Sequence, residues 1–142
     1  MNVKFYDIIN DSLLKFAVII SRFNGKWLYC KHKDRETYEI PGGRREAGES
    51  ILETAKRELY EETGAIEYKL EPICAYSVIG KTRVNESGEE SFGMLYFAEI
   101  EKVENELHSE IELVELFDEM PEKLTYPEIQ PLLVKEFERR MK

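Results

Sequence analysis

Glu58, Glu61 and Glu62 stand at i, i+3 and i+4 in the stretch RELYEETGA, so on a helix of about 100° per residue they share one side. That side repels itself. With Cβ atoms roughly 5.5 Å apart, each like-charge pair costs about 0.8 kcal/mol in bulk water and about 3 kcal/mol at an effective dielectric near 20. The same projection gathers Ile51, Leu52, Ala55 and Leu59 into an apolar arc and drops Glu62 between Ile51 and Ala55. One carboxylate therefore points along the edge of the core. A half-buried anion beside two others either takes up a proton or holds a cation. Three carboxylates on one face, preceded by a glycine turn whose backbone oxygens are open, make a donor set suited to a hard ion such as Mg²⁺ or Mn²⁺. A solvated glutamate face with basic partners accounts for Glu53 with Lys56 or Arg57, but it leaves Glu62 unexplained.

The helix that must carry these groups is bounded by its own signals. Ser50 followed by Glu53 forms a capping box, and Gly64 suits the left-handed residue that ends a helix, which predicts a helix over 50–63. Read as a spacing pattern, residues 43–65 supply Gly43, Glu49, Arg57, Glu58, Leu59, Glu61, Glu62, Gly64 and Ala65. This segment resembles the signature of the Nudix hydrolases, GX5EX7REUXEEXGU with U a bulky aliphatic, at eight of its nine defined positions and over 23 of the 142 residues. The departure is Ala65, small where Ile, Leu or Val is usual and followed by Ile66; it carries no ligand atom and reads as a packing variation.

The resemblance implies hydrolysis of a nucleoside diphosphate linked to another moiety, by water attacking a phosphorus of the pyrophosphate with a divalent metal, Mg²⁺ or Mn²⁺. Such a metal neutralises non-bridging oxygens and acidifies bound water. The implied metal ligands are Glu58, Glu61, Glu62 and the carbonyl of Gly43. Arg57 projects elsewhere on the helix and reads as a residue that orients the cluster, through an ion pair with Glu49. For the general base, Glu61 comes first and Glu110 second, Glu110 also being an extra metal ligand in prospect; Glu106 competes for that role. His32, in a strand, and His108, in an acidic loop, read as surface residues. Charge on the departing phosphates needs cations beyond the metal. Lys31 and Arg44 match positions where relatives place phosphate contacts, while Lys33, Arg35 and Arg45 read as solvent-facing. Glu39, just upstream of the glycines, supports the metal loop from behind. Phe5, Tyr38, Phe92 and Tyr96 are candidates for a base-stacking surface, against the commoner role of strand aromatics in a core.

The rest of the chain must hold these groups. Its 142 residues, 42% hydrophobic, suit one domain over 1–142. A formal net charge of -9 argues against a duplex DNA or anionic membrane surface. The first residues lack a basic segment followed by an apolar run, and the longest apolar stretch, 16–20, is too short to span a bilayer; the expectation is a cytoplasmic protein, monomer or homodimer. Cys30 and Cys74 show no CxxC spacing and read as buried reduced thiols. Residues 14–22 and 26–32 flank Asn24-Gly25, a hairpin signal. Further strands are expected at 38–40, 67–79, 92–103 and 111–117. Ile129, Leu132, Leu133 and Phe137 at helical spacing predict an amphipathic helix from Gln130, with Pro131 in its first turn. The order implies an α+β domain, a mixed central sheet between helices, as the Nudix-like α/β/α sandwich would have.

Substrate is less legible. The short layout and the run KHKDRETYEIPGG look like the branch acting on nucleoside triphosphates, including oxidised guanine nucleotides such as 8-oxo-dGTP, with release of monophosphate and pyrophosphate. Hydrolysis of ADP-ribose and removal of pyrophosphate from the 5′ end of RNA are the alternatives within the family. A Nudix-fold nucleotide-binding module without turnover is the alternative of another class, and the intact glutamate set argues against it. Isoprenoid diphosphate isomerisation is disfavoured by the short chain and by the lack of a cysteine near the signature.

Overall fold

The computed structural model describes residues 1–81, 86–104 and 111–141, the side chains at 111 and 112 excepted. Its elements run β1 (Asn2–Tyr6), β2 (Leu14–Phe23), β3 (Lys26–His32), β4 (Gly42–Arg44), α1 (Ile51–Thr63), β5 (Ala65–Ile79), β6 (Ser91–Val103), β7 (Ile111–Phe117) and α2 (Gln130–Arg140). The strands form one sheet in the order β1-β5-β6-β2-β3-β7, with β4 added to β2. Among the described residues the β2–β6 ladder is parallel and the other strand ladders are antiparallel.

Alternation along the central strand decides the layers. Ala17 and Ile19 of β2 pack on one face with Ala55 and Leu59 of α1, and Ile20 packs on the other with Leu133 and Phe137 of α2. A helix thus covers each face of a mixed sheet, the α+β sandwich expected. Complete burial of a leucine such as Leu59 or Leu133 stabilises by about 2 kcal/mol. Leu52 departs from the expected apolar arc, standing 43% exposed, because the buried stripe of α1 runs through Ile51, Ala55 and Leu59 and is completed by Thr54, Glu62 and Thr63. Ala65 is buried in the same cluster while Ile66 is exposed, so the small residue of the signature meets the core and its larger neighbour does not.

Local signals hold where they are strong. Asn24 and Gly25 both take positive φ, 54° and 76°, as a tight hairpin between twisted strands requires. Ser50 and Glu53 close the capping box, and Gly64 ends α1 at φ 77°. Residues 38–40 do not form the expected strand. They make isolated bridges, Cys30 to Glu39 and Tyr38 to Leu124, and the strand falls instead at β4. Tertiary pairing overrides the poor β propensity of glycine there, because only a residue without a side chain fits: a Cβ on Gly42 would lie 2.4 Å from the Ala17 carbonyl oxygen.

This pairing forks the sheet. β2 meets β4 through Phe16, Ala17 and Val18 and meets β3 through Ser21, Arg22 and Phe23, with the Ile19 amide donating to the Pro41 carbonyl, 2.8 Å, between them. The glutamates of α1 approach the sheet beside this fork.

Candidate active site

Glu58 lays its carboxylate directly on Gly43. A Cβ at that glycine would lie 2.4 Å from Glu58 Cδ and Oε1, so glycine at this place is a condition for the carboxylate being there. Burial, and then the charge of Glu62, push the Glu58 carboxyl up to about 7 against the pull of Arg57. Glu62 lies deeper. Its Oε1 accepts the Gly42 amide at 2.9 Å, and its Oε2 stands 3.4 Å from His32 Nε2. Glu61 keeps 39% of its side chain exposed, against 12% for Glu58 and 8% for Glu62, which makes it the member of the set that solvent and substrate reach.

Arg57 collects the surrounding anions. Its Nε donates to Glu49 Oε2 at 2.6 Å, one terminal nitrogen donates to Glu58 Oε1 at 2.7 Å and reaches Glu61 Oε2 at 3.4 Å, and the other donates to the Arg44 carbonyl at 2.8 Å. One planar guanidinium spans helix, loop and β4, a use to which lysine is unsuited. Glu49 also accepts the Thr54 hydroxyl at 2.9 Å, and the Arg57 contact first among these holds its carboxyl down at about 2.

Behind Glu62 is a group that spacing did not reveal. His32 is half-buried, not the surface residue expected, with Nε2 3.4 Å from Glu62 and 3.5 Å from Glu39. The alignment of a hydrogen bond is missing at both contacts, so among the described residues this buried nitrogen has carboxylate neighbours but no hydrogen-bond partner. Contact with Glu62 and the charge of Glu39 outweigh burial and raise the His32 pKa. Glu39 is itself held by Arg35 at 2.6 Å, so Arg35 is not a solvent-facing charge. Nor is Arg45, which donates to the carbonyls of Glu49 and Asp11 and to the Asp11 carboxylate. A histidine next to a strand's polar end gives no periodicity signal, and only the fold brings it to the helix.

The donor set fits a hard divalent cation in chemistry: clustered carboxylates, one of them keeping its proton to about pH 7, on a bare glycine backbone. Among the described residues, no three His, Cys, Asp or Glu side chains already converge on one metal-sized point. The reason is visible in the contacts, since Arg57 draws on Glu58 and Glu61 while Gly42 and His32 draw on Glu62. Cys30 and Cys74 are both free and buried.

The two candidate phosphate contacts are placed differently. The Arg44 guanidinium lies 5.1 Å from the Phe16 ring, beside the glycine strand. Lys31 sits on β3 between Cys30 and His32, both of which contact Glu62, and alternation turns it to the opposite face. Glu106, His108 and Glu110 lie outside the described residues.

On the α2 side of Gly42 and Gly43 opens a mainly apolar cavity of about 110 Å³, lined among others by Phe16, Tyr76, Tyr126 and Gln130, with Glu39 at its edge. Gln130 is fixed there by accepting the Ile40 amide at 2.9 Å. None of Phe5, Tyr38, Phe92 and Tyr96 lines this cavity. Tyr96 is buried on the α1 side, and Tyr38 packs edge-on to Phe117 and donates to Glu115. The aromatic walls come from three separate segments, so no local pattern marks them.

Residues 12–133 match the NUDIX domain. The chain is 42% identical over 112 residues to YtkD of Bacillus subtilis (strain 168), a protein that carries the provisional name 8-oxo-dGTP diphosphatase; the match covers 78% of this chain and 66% of that one, just under two thirds of the relative's length. In structure it is similar to the Bacillus subtilis pyrophosphohydrolase BsRppH, with a TM-score of 0.78 and 32% identity over 96% of this chain and 90% of that one. The NUDIX domain of Shewanella oneidensis NrtR, crystallised with ADP ribose, shares the fold alone, with a TM-score of 0.68 at 15% identity over 91% of this chain and 88% of that one. The family match over most of the chain and the likeness to these relatives settle the family: the chain belongs to the NUDIX domain family.

Proposed function

We propose that this protein hydrolyses the pyrophosphate linkage of a nucleoside triphosphate, 8-oxo-dGTP above others, releasing monophosphate and pyrophosphate with a divalent metal as cofactor. The observation that carries this reading is the seating of the Glu58 carboxylate on Gly43, with the aromatic cavity opening on the other side of the same two glycines. A phosphate chain held at the carboxylates thereby has a place for its base within reach. The family generally uses divalent metals such as Mg²⁺, and here Glu58, Glu61, Glu62 and the Gly43 carbonyl would hold one, which would acidify water and offset phosphate charge. Glu61, the most exposed of the three, takes the proton of the attacking water. Arg57 holds Glu58 and Glu61 in place. Arg44 meets phosphate, and Lys31 is the weaker candidate because of the face it occupies. The name carried by YtkD supports the oxidised guanine nucleotide.

Cleavage of the same kind of bond at the 5′ end of RNA is the second reading, favoured by the likeness to a pyrophosphohydrolase along 90% of that chain's length. The test is incubation with Mg²⁺ and a panel of dGTP, 8-oxo-dGTP, 5′-triphosphorylated RNA and ADP-ribose, with products resolved by chromatography. Fastest turnover of 8-oxo-dGTP to monophosphate and pyrophosphate is expected. RNA turning over faster per mole selects the second reading, and inactivity across the panel with retained nucleotide binding makes the chain a binding module.

A further inference from the structure

We infer that a second cavity, between β3 and the C-terminal half of α2, is a binding site for a small organic cation bearing an aryl or alkyl ammonium group. Trp27, Tyr29 and Phe137 wall it, and Asp118, Glu119 and Glu138 rim it, enclosing about 460 Å³. That is within the size range of small-ligand sites. It shares no lining residue with the cavity at Gly42 and Gly43.

Three observations point to the ligand. Tyr29 is only 5% exposed, yet among the described residues no hydrogen bond reaches its hydroxyl. The hydroxyl is not sealed from solvent, so within the cavity it is open to a ligand donor. Glu119 and Glu138 have no ion-pair partner among the described residues, whereas Asp118 has Lys26 at 3.6 Å. The walls include aromatic rings, and the Arg22 guanidinium, tied to Glu99, lies 5.7 Å from the Trp27 ring, so this ring tolerates a cation beside it. Burial and the charge of Glu138 push the Tyr29 hydroxyl up to about 12. It therefore stays neutral and can accept an ammonium N–H. Carboxylate, phenol and indole around one opening are the groups that recognise an ammonium bearing apolar substituents.

Trp27 is the sole tryptophan of the chain and lines this cavity, so its fluorescence gives a direct optical probe of binding there. Titration of the full chain with benzylammonium should give a saturable change, and the neutral isostere benzyl alcohol should bind at least about tenfold more weakly. The double variant Glu119→Gln/Glu138→Gln should weaken binding about fivefold, and Tyr29→Phe, which keeps the ring packing, about threefold. Glu101→Gln, an exposed acid on β6, should leave it unchanged, as should Glu58→Gln on the α1 face. An absent fluorescence response, equal affinity for the alcohol, or equal weakening by Glu101→Gln would overturn the site, the last by showing that the acidic surface as a whole attracts the cation. Loss of binding in Glu58→Gln would also overturn it, by placing the cation at the carboxylates of α1.

Discussion

Replacing Gly43 with alanine tests whether the glycine strand exists to seat Glu58. The new methyl would stand 2.4 Å from Glu58 Cδ and Oε1 and 2.6 Å from Oε2, against an ordinary contact of about 3.4 Å or more. The carboxylate must withdraw by about 1 Å. The obstacle is the end of a flexible side chain, and Gly43 does not use positive φ, so the fold should lose less than about 1 kcal/mol. Chemistry should suffer more, since a misplacement of about 1 Å at a reacting group costs on the order of a hundredfold. Gly42→Ala is the contrasting variant. Its methyl would meet the Ala17 carbonyl oxygen at 2.4 Å and Val18 Cα at 3.0 Å, both backbone atoms of the central strand. Overpacking there should cost about 1–3 kcal/mol or more. The assay is steady-state hydrolysis of 8-oxo-dGTP with Mg²⁺, alongside a urea melt of each variant. A fall in kcat/KM of about a hundredfold for Gly43→Ala, with an unchanged melt, is expected. Activity within threefold of the parent would show that the contact does not position Glu58 for chemistry. A Gly43→Ala protein as unstable as Gly42→Ala would show that the glycine serves the fold alone.

Three further outcomes follow from the same contacts. Because the Glu58 carboxyl is raised to about 7, its ionisation penalises the metal-free fold progressively between about pH 4.5 and 7; above that the penalty is full, about 3 kcal/mol. Glu58→Gln should remove this decline in melting temperature and also abolish the rise that Mg²⁺ gives the parent, and a parallel pH profile in parent and variant would refute it. Glu49 is lowered to about 2, chiefly by Arg57, so the stability it contributes is present above about pH 4.5 and lost as pH falls toward 2. Arg57→Ala should flatten that acid limb in urea melts and lower kcat more than it raises KM; an unaltered acid limb would remove Arg57 from the account. Gln130→Leu strands the buried Ile40 amide, at about 1–3 kcal/mol, and should alter the preference between dGTP and 8-oxo-dGTP, whereas a stability loss with the preference intact would leave Gln130 a structural residue.

What the sequence discloses here is what local chemistry writes down. The ends of α1 are read from Ser50, Glu53 and Gly64, since capping acts within a few residues. Burial of Glu62 follows from the projection that sets it between Ile51 and Ala55. Pro131 in the first turn of α2 follows from its missing amide. Features made by distant pairing escape. β1 gives no sign that Asn2 through Tyr6 will pair with Ala75 through Ile79, because five residues carry too little alternation. β4 is a strand only because β2 lies beside it. His32 becomes part of the site through a helix that begins nineteen positions later, and the aromatic walls at Phe16, Tyr76 and Tyr126 meet only in the folded sheet.

The central claim, that the α1 carboxylates stand together because an ion belongs among them, is tested most directly by anomalous diffraction from crystals soaked in Mn²⁺. A peak within bonding distance of Glu58 and Glu62 oxygens beside Gly43 is expected, with Glu58 drawn off Arg57. Full-occupancy Mn²⁺ elsewhere on the molecule, with Glu58 and Glu61 still paired to Arg57 and no peak beside Gly43, would contradict it.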